Sequence, residues 1–242
     1  MHPRFLLLVA LLAAVLAPRA HACSQCMCGT PFPPDALGGV VPMQIRYGFE
    51  DRYLSKSNAL EEAPGTESER EHRVSGFVLW RASNRLALLG RLPYNMNEIT
   101  ESPEGEIATT QKASGIGDGE ITALVGLWHS TGSNPAVLGL VAGVTAPTGS
   151  NDMKNSAGDR LDAHLQPGTG AWSGTTGLNL AVHIGGGIVD GSVLGRLNGT
   201  SNYGYHYGDV LLFNAGYTSA PLRRVRLIGQ VNGRSEIGRA HV

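Results

Sequence analysis

The residues best suited to chemistry are three sulfurs packed into six positions: Cys23, Cys26 and Cys28, spaced C-x2-C-x-C-G and the only cysteines in the chain. Thiolates this close together can converge on one soft metal ion, or pass electrons by thiol–disulfide exchange. A structural zinc site needs a fourth ligand, and none follows nearby. In an oxidising compartment two of the three can instead pair and leave one spare thiol, and a cluster with no role is the third reading. Met27 and Cys28 follow Cys26, so this is not a haem attachment motif.

What positions that cluster is an export signal. Arg4 supplies a positive start, Phe5 to Leu16 an apolar run, and Ala20-His21-Ala22 a small-x-small cleavage site just before Cys23. The run is too short to span a bilayer as a helix, so a cleaved leader over 1–22 is expected rather than a retained anchor. Ala20 and His21 depart from the usual lipidation pattern at Cys23. A Cys-, Pro- and Gly-rich segment, 23–40, then leads into the body of the chain.

That body reads as strands. Val41, Met43, Ile45, Tyr47 and Phe49 share one face, with Gln44, Arg46, Gly48 and Glu50 on the other. Leu178, Leu180, Val182 and Ile184 alternate with Gly177, Asn179, Ala181 and His183, and Leu211, Phe213, Ala215 and Tyr217 with Val210, Leu212, Asn214 and Gly216. Val225, Leu227, Gly229 and Val231 oppose Arg224, Arg226, Ile228, Gln230 and Asn232. Less regular strands are expected near Arg73–Arg81, Arg85–Tyr94, Glu120–Trp128, Ala136–Thr145 and Ile188–Leu197.

The connections decide the topology. Leu54–Glu71, Asn95–Gly115 and Pro147–Ser173 are expected to be long and Asn198–Tyr207 intermediate, whereas Ala82–Asn84, Ser130–Asn134, Gly185–Gly187 and Ser219–Leu222 are tight. A soluble β-sandwich also alternates, but it has no reason to sort its loops by parity. An up-and-down transmembrane β-barrel does, because periplasmic turns stay short while extracellular loops grow. The fold class expected over 41–235 is therefore all-β, an antiparallel barrel of about nine strands, incomplete at the C-terminus because closed single-chain barrels have an even number.

The final residues, Glu236-Ile237-Gly238-Arg239-Ala240-His241-Val242, back-translate into a string resembling a short-read sequencing adapter. The genuine protein is expected to run to about Ser235, with 236–242 a non-native tail. Resequencing the locus tests this.

Composition excludes little and excludes it cleanly. Lys plus Arg number 19 against 20 Asp plus Glu, a net charge of −1, so nothing recommends nucleic acid as a partner. No Gly-x-Ser-x-Gly elbow or His-Glu-x-x-His pair is present, and the chain does not read as an enzyme. His129, His183 and His206 are expected at the bore or its rim, and Asp118, Asp159, Asp162 and Asp209 as solvated loop or strand-end carboxylates. Gly115-Ile116-Gly117-Asp118-Gly119 lacks the Lys-Ser or Lys-Thr of a phosphate loop; it reads as a turn whose glycines take positive φ, with Asp118 capping the next strand.

Four phrases in order, Leu92-Pro93-Tyr94, Gly115-Ile116-Gly117-Asp118, Ala146-Pro147-Thr148-Gly149 and Leu165-Gln166-Pro167-Gly168-Thr169-Gly170, resemble a bacterial outer-membrane family labelled meta-pathway phenol degradation-like, or transporter-like. The resemblance runs from about Cys23 to Gly233, and the Cys cluster resembles a subset with a Cys-rich N-terminus. It implies a β-barrel in the outer membrane of a Gram-negative bacterium with a role in small-molecule passage, and it carries no catalytic residue. The expected partners are outer-membrane lipid, the barrel assembly machinery and an unidentified small solute. No cofactor is expected beyond a soft metal ion at the Cys cluster. Arg46, Glu50, Arg73, Asn179, His183, Arg224 and Arg226 are the candidate bore-lining residues that would set its field. The alternative is a non-channel barrel whose Cys23, Cys26 and Cys28 bind metal or relay redox state.

Overall fold

The computed structural model describes residues 36–37, 43–59, 64–105, 107–220 and 227–237. Cys23, Cys26, Cys28, Arg224 and Arg226, with the leader and residues 238–242, lie outside them. Ten antiparallel strands form one curled sheet, a half-barrel, with no helix among the described residues. They are β1 (Gln44–Ala59), β2 (Gly65–Arg81), β3 (Leu86–Pro103), β4 (Thr109–Ile116), β5 (Gly119–His129), β6 (Ala136–Ala146), β7 (Ser173–Ile184), β8 (Gly187–Asn198), β9 (Asp209–Thr218) and β10 (Ile228–Ile237). The order is β1-β2-β3-β5-β6-β7-β8-β9-β10, all neighbours antiparallel and, except for β3 and β5, consecutive in the chain, with β4 also paired to β3.

Period-two alternation gives the sheet two unlike faces. The convex face carries exposed apolar side chains, among them Tyr47, Phe49, Ile121, Val193 and Val231. The concave face buries Glu71, Arg73, Asn95, Glu120, Thr145 and Arg196. Charge inside and grease outside is the reverse of a soluble sandwich.

The concave face is not polar throughout. Leu79, Leu89, Leu124, Val141, Leu194 and Leu212 form a buried cluster there, and Ala36 and Leu37 pack into it from the N-terminal segment. Arg81 Nη2 fixes that segment by donating to Leu37 O at 2.8 Å. The middle tier of this face is thus packed hydrocarbon, Val210 and Leu212 included.

Ala82–Asn84, Ser130–Asn134 and Gly185–Gly187 fall in the short connections β2–β3, β5–β6 and β7–β8, whereas the expected turn Ser219–Leu222 lies partly outside the described residues and β10 starts only at Ile228. Between β7 and β8, Gly185 (φ 58°) and Gly186 (φ 82°) take consecutive left-handed conformations, the primed turn whose twist suits a two-residue hairpin. Two expected long loops are instead strands. Leu54–Glu71 is largely the outer half of the β1–β2 hairpin, paired out to Ala59 opposite Thr66 and cross-linked by Lys56 Nζ to Glu69 Oε2 at 2.5 Å. Asn95–Gly115 is the β3–β4 hairpin, paired from Tyr94–Ile116 to Glu101–Thr109. Polar side chains on both faces carry no hydropathic alternation, so pattern reading stops where the apolar belt stops.

The tenth strand arises because β4 and β5 share one partner. β3 pairs with β5 along Leu86–Arg91 and with β4 from Tyr94 upward. Between them stands Pro93, which has no N–H to give; its carbonyl accepts from Gly117 N at 2.9 Å and the ladder breaks at Gly117-Asp118. β10 also sits further along than expected. It runs to Ile237, so Glu236 and Ile237 pair opposite Val210 and Asp209, and Arg234 makes an ion pair with Glu236.

Candidate functional site

All four phrases singled out in the sequence meet at the break between β4 and β5. The Asp118 carboxylate is the centre: Oδ1 accepts from Gly149 N at 2.9 Å, and Oδ2 from Thr169 N at 2.7 Å and Thr169 Oγ1 at 2.5 Å. Asp118 is only 7% exposed. The expectation of a solvated strand cap is therefore wrong, and the reason is tertiary: donors 31 and 51 residues away replace water around the carboxylate. Thr148 Oγ1 reinforces the join by accepting from Gly119 N at 2.8 Å.

The glycines serve close approach, not positive φ, which Gly115, Gly117 and Gly119 do not adopt. A Cβ on Gly149 would lie 2.7 Å from Gly117 C, and one on Gly168 would lie 2.6 Å from Gly149 C. Three backbone segments thus touch with no room for a side chain.

This knot pins the β6–β7 connection, residues 147–172, across the concave mouth. On the β3 side Asn95 Nδ2 donates to Pro167 O at 2.6 Å and Asn97 Nδ2 to Leu165 O at 3.2 Å. Arg73 Nε donates to Asn95 Oδ1 at 2.9 Å, and Arg73 Nη2 lies 2.7 Å from Glu71 Oε1. Within the loop, fully buried Gln166 accepts from Met153 N and donates to Leu161 O, both at 2.9 Å. Leu161 and Leu165 pack on Ile99 and Ala113 of the wall. On the far side the loop meets the β8–β9 connection, where Tyr207 Oη donates to Ala163 O at 3.2 Å and Arg160 stacks 4.0 Å from the Tyr203 ring centroid.

Beside the knot, a gap of about 20 Å³ remains among Arg73, Asn95, Asp118, Thr145, Thr169 and Arg196. That holds about one water molecule. Arg196 spans it, with Nη2 donating to Thr145 Oγ1 and Nε to Asn198 Oδ1, both at 3.2 Å. The arrangement sets a charged, water-sized constriction above an apolar tier. It offers no nucleophile–base pair, and among the described residues no three His, Cys, Asp or Glu side chains are grouped to hold a metal.

The candidate residues from the sequence do not form one site. Arg46, Glu50, Arg73, Asn179 and His183 occupy concave positions in register, but only Arg73 reaches the knot. Glu50 bridges Arg52 at 3.3 Å and Arg91 at 3.4 Å. Asn179 donates to Gly191 O, and His183 sits beside Pro135 O near the tight-turn end. Sequence reading missed Asp118, Asn95, Asn97, Gln166, Thr169 and Arg196 as site residues. The signal was present as four Gly- or Pro-bearing phrases with one buried carboxylate's worth of donors between them. No family model matches the chain, and no curated protein matches it.

Proposed function

We propose that the chain forms the wall of a Gram-negative outer-membrane β-barrel that passes small solutes through a bore narrowed by the loop 147–172. The observation that carries this is the inverted sheet: exposed Tyr47, Phe49, Ile121, Val193 and Val231 outside, buried Arg73, Asn95, Glu120 and Arg196 inside. On β1 the exposed apolar stripe is Ile45, Tyr47 and Phe49, with Tyr53 beyond the exposed Asp51 on the same face. Tyr53, Tyr94 and Trp172 lie at the long-loop edge of the apolar face and Trp80, Trp128 and Tyr217 at the other, as aromatic girdles do. The resemblance to the meta-pathway phenol degradation-like family belongs to the same reading.

Beside the knot, the gap left between loop and wall is about the size of one water molecule. Passage of a solute requires the loop to move off Asp118. Planar-bilayer recording of the full-length protein tests this. The expected result is small or absent current that rises when Asp118 is replaced by Ala; silence from both proteins with every solute contradicts the channel reading.

A further inference from the structure

We infer that the convex face of β1–β4 holds one phosphorylated, sugar-headed lipid of the outer leaflet, an inference that rests on the membrane reading above. Two cavities stand one above the other on these strands. The lower is an apolar hollow of about 1030 Å³ walled by Phe49, Leu92, Tyr94 and Trp172. Its depth comes from glycine: no atom lies within 4 Å of where a Cβ on Gly90 would sit, and Gly76 has only the Phe49 ring nearby. An acyl chain fits such a furrow, which flat lipid-facing sheet does not offer.

The upper cavity, about 470 Å³, begins two residues further up the same strands, at Tyr53, His72, Met96 and Ser114. Cross-strand register then orders the chemistry in rows. The first polar row is Ser55, Arg70, Glu98 and Lys112. Two cations share one carboxylate, with Lys112 Nζ 2.6 Å and Arg70 Nη1 3.4 Å from Glu98, so the row is net positive. Both cationic side chains are more than half exposed. Below them the exposed Asp51 carboxylate lies 2.6 Å from His72 Nε2. The next rows hold the hydroxyls of Ser57, Ser68, Thr100 and Thr110, then Ala59 with the hydroxyls of Thr66 and Ser102. Hydrocarbon, then spare cationic donors, then hydroxyls is the sequence of chemistry met along a lipid with an acyl chain, a phosphate and a sugar.

The test uses Trp172 as reporter, in a full-length Trp80→Phe/Trp128→Phe protein reconstituted in vesicles of brominated phosphatidylcholine. Diphosphorylated lipid A is then titrated in. Displacement of brominated chains from the hollow should restore Trp172 fluorescence at mole fractions where bulk dilution is negligible. Arg70→Gln/Lys112→Gln, and dephosphorylated lipid A on the parent, should each need about tenfold more lipid, the loss of roughly one charge-assisted bond. Quenching that recovers only with bulk dilution, equally in both proteins, overturns the site and leaves the membrane reading standing. Trp172 that brominated lipid never quenches overturns both.

Discussion

Replacing Asp118 with Ala should release the loop 147–172 without unfolding the sheet. The carboxylate accepts three hydrogen bonds, two of them from the backbone N–H groups of Gly149 and Thr169. Bonds to an ionised acceptor are worth about 1.5–3 kcal/mol each, and a buried donor left unpaired costs about 1–3 kcal/mol. The terms overlap because the freed loop rehydrates its N–H groups once it lifts. The expected local loss is therefore about 3 kcal/mol, roughly a hundredfold increase in loop opening. Native-state hydrogen exchange reads this directly. Amides of Gly149 and Thr169 should lose about a hundredfold protection while those in the middle of β6, such as Val141, keep theirs. Exposed Lys154, on the loop, should become a preferred tryptic site. Asp118→Asn keeps one acceptor oxygen but turns an NH2 toward a donor, so it should fall between wild type and Ala. Unchanged protection in Asp118→Ala would refute the latch; uniform loss across the sheet would show that the carboxylate supports the whole wall instead.

Other perturbations separate the layers of the structure. Gly168→Ala should detach the loop as Asp118→Ala does, since its Cβ would lie 2.6 Å from Gly149 C, whereas Gly174→Ala, with nothing within 4 Å, should leave exchange unchanged. Leu194→Ala, at 1% exposure in the concave cluster, should cost about 2–5 kcal/mol in urea-induced unfolding and leave the loop latched. The hydrogen bond from Lys112, opposed by desolvation and aided by the Lys112 and Arg70 charges, holds Glu98 below its ordinary carboxylate value. A depressed folded-state pKa means that this contribution is present above the unfolded value and fades as pH falls through the folded one. Exchange protection at the β3–β4 tip should weaken over that acidic range, and Glu98→Gln should flatten the response.

What could be read from sequence follows from where physics forces a pattern. Leu178, Leu180, Val182 and Ile184 alternate with Gly177, Asn179, Ala181 and His183 because successive side chains of a strand point to opposite faces and the two faces of this sheet differ. The β7–β8 turn was legible for a similar reason, since Gly185 and Gly186 are the residues a two-residue hairpin needs. The outer halves of β1 to β4 were not legible: Ser57, Ser68, Thr100 and Thr110 meet across strands with no hydropathic contrast to mark them. Asp118 was misread because its burial is set by Gly149 and Thr169, far away in the chain. The breadth of the apolar tier was missed because Leu79, Leu124 and Leu194 lie in the less regular strands, where the pattern assigns no face. Ala36 and Leu37 supply its cover, a partner no strand pattern announces.

The central claim, that the convex face meets hydrocarbon and the concave face does not, is tested most directly by a nitroxide scan. Single labels from Leu178 to His183, in a protein whose three cysteines are changed to Ser and which is reconstituted in vesicles, are challenged with oxygen and with a water-soluble nickel chelate. The account predicts oxygen-dominated collisions at Leu178, Leu180 and Val182, and low oxygen access at Asn179, Ala181 and His183. Nickel access at every position, or a protein that stays in the aqueous phase without vesicles, would contradict it.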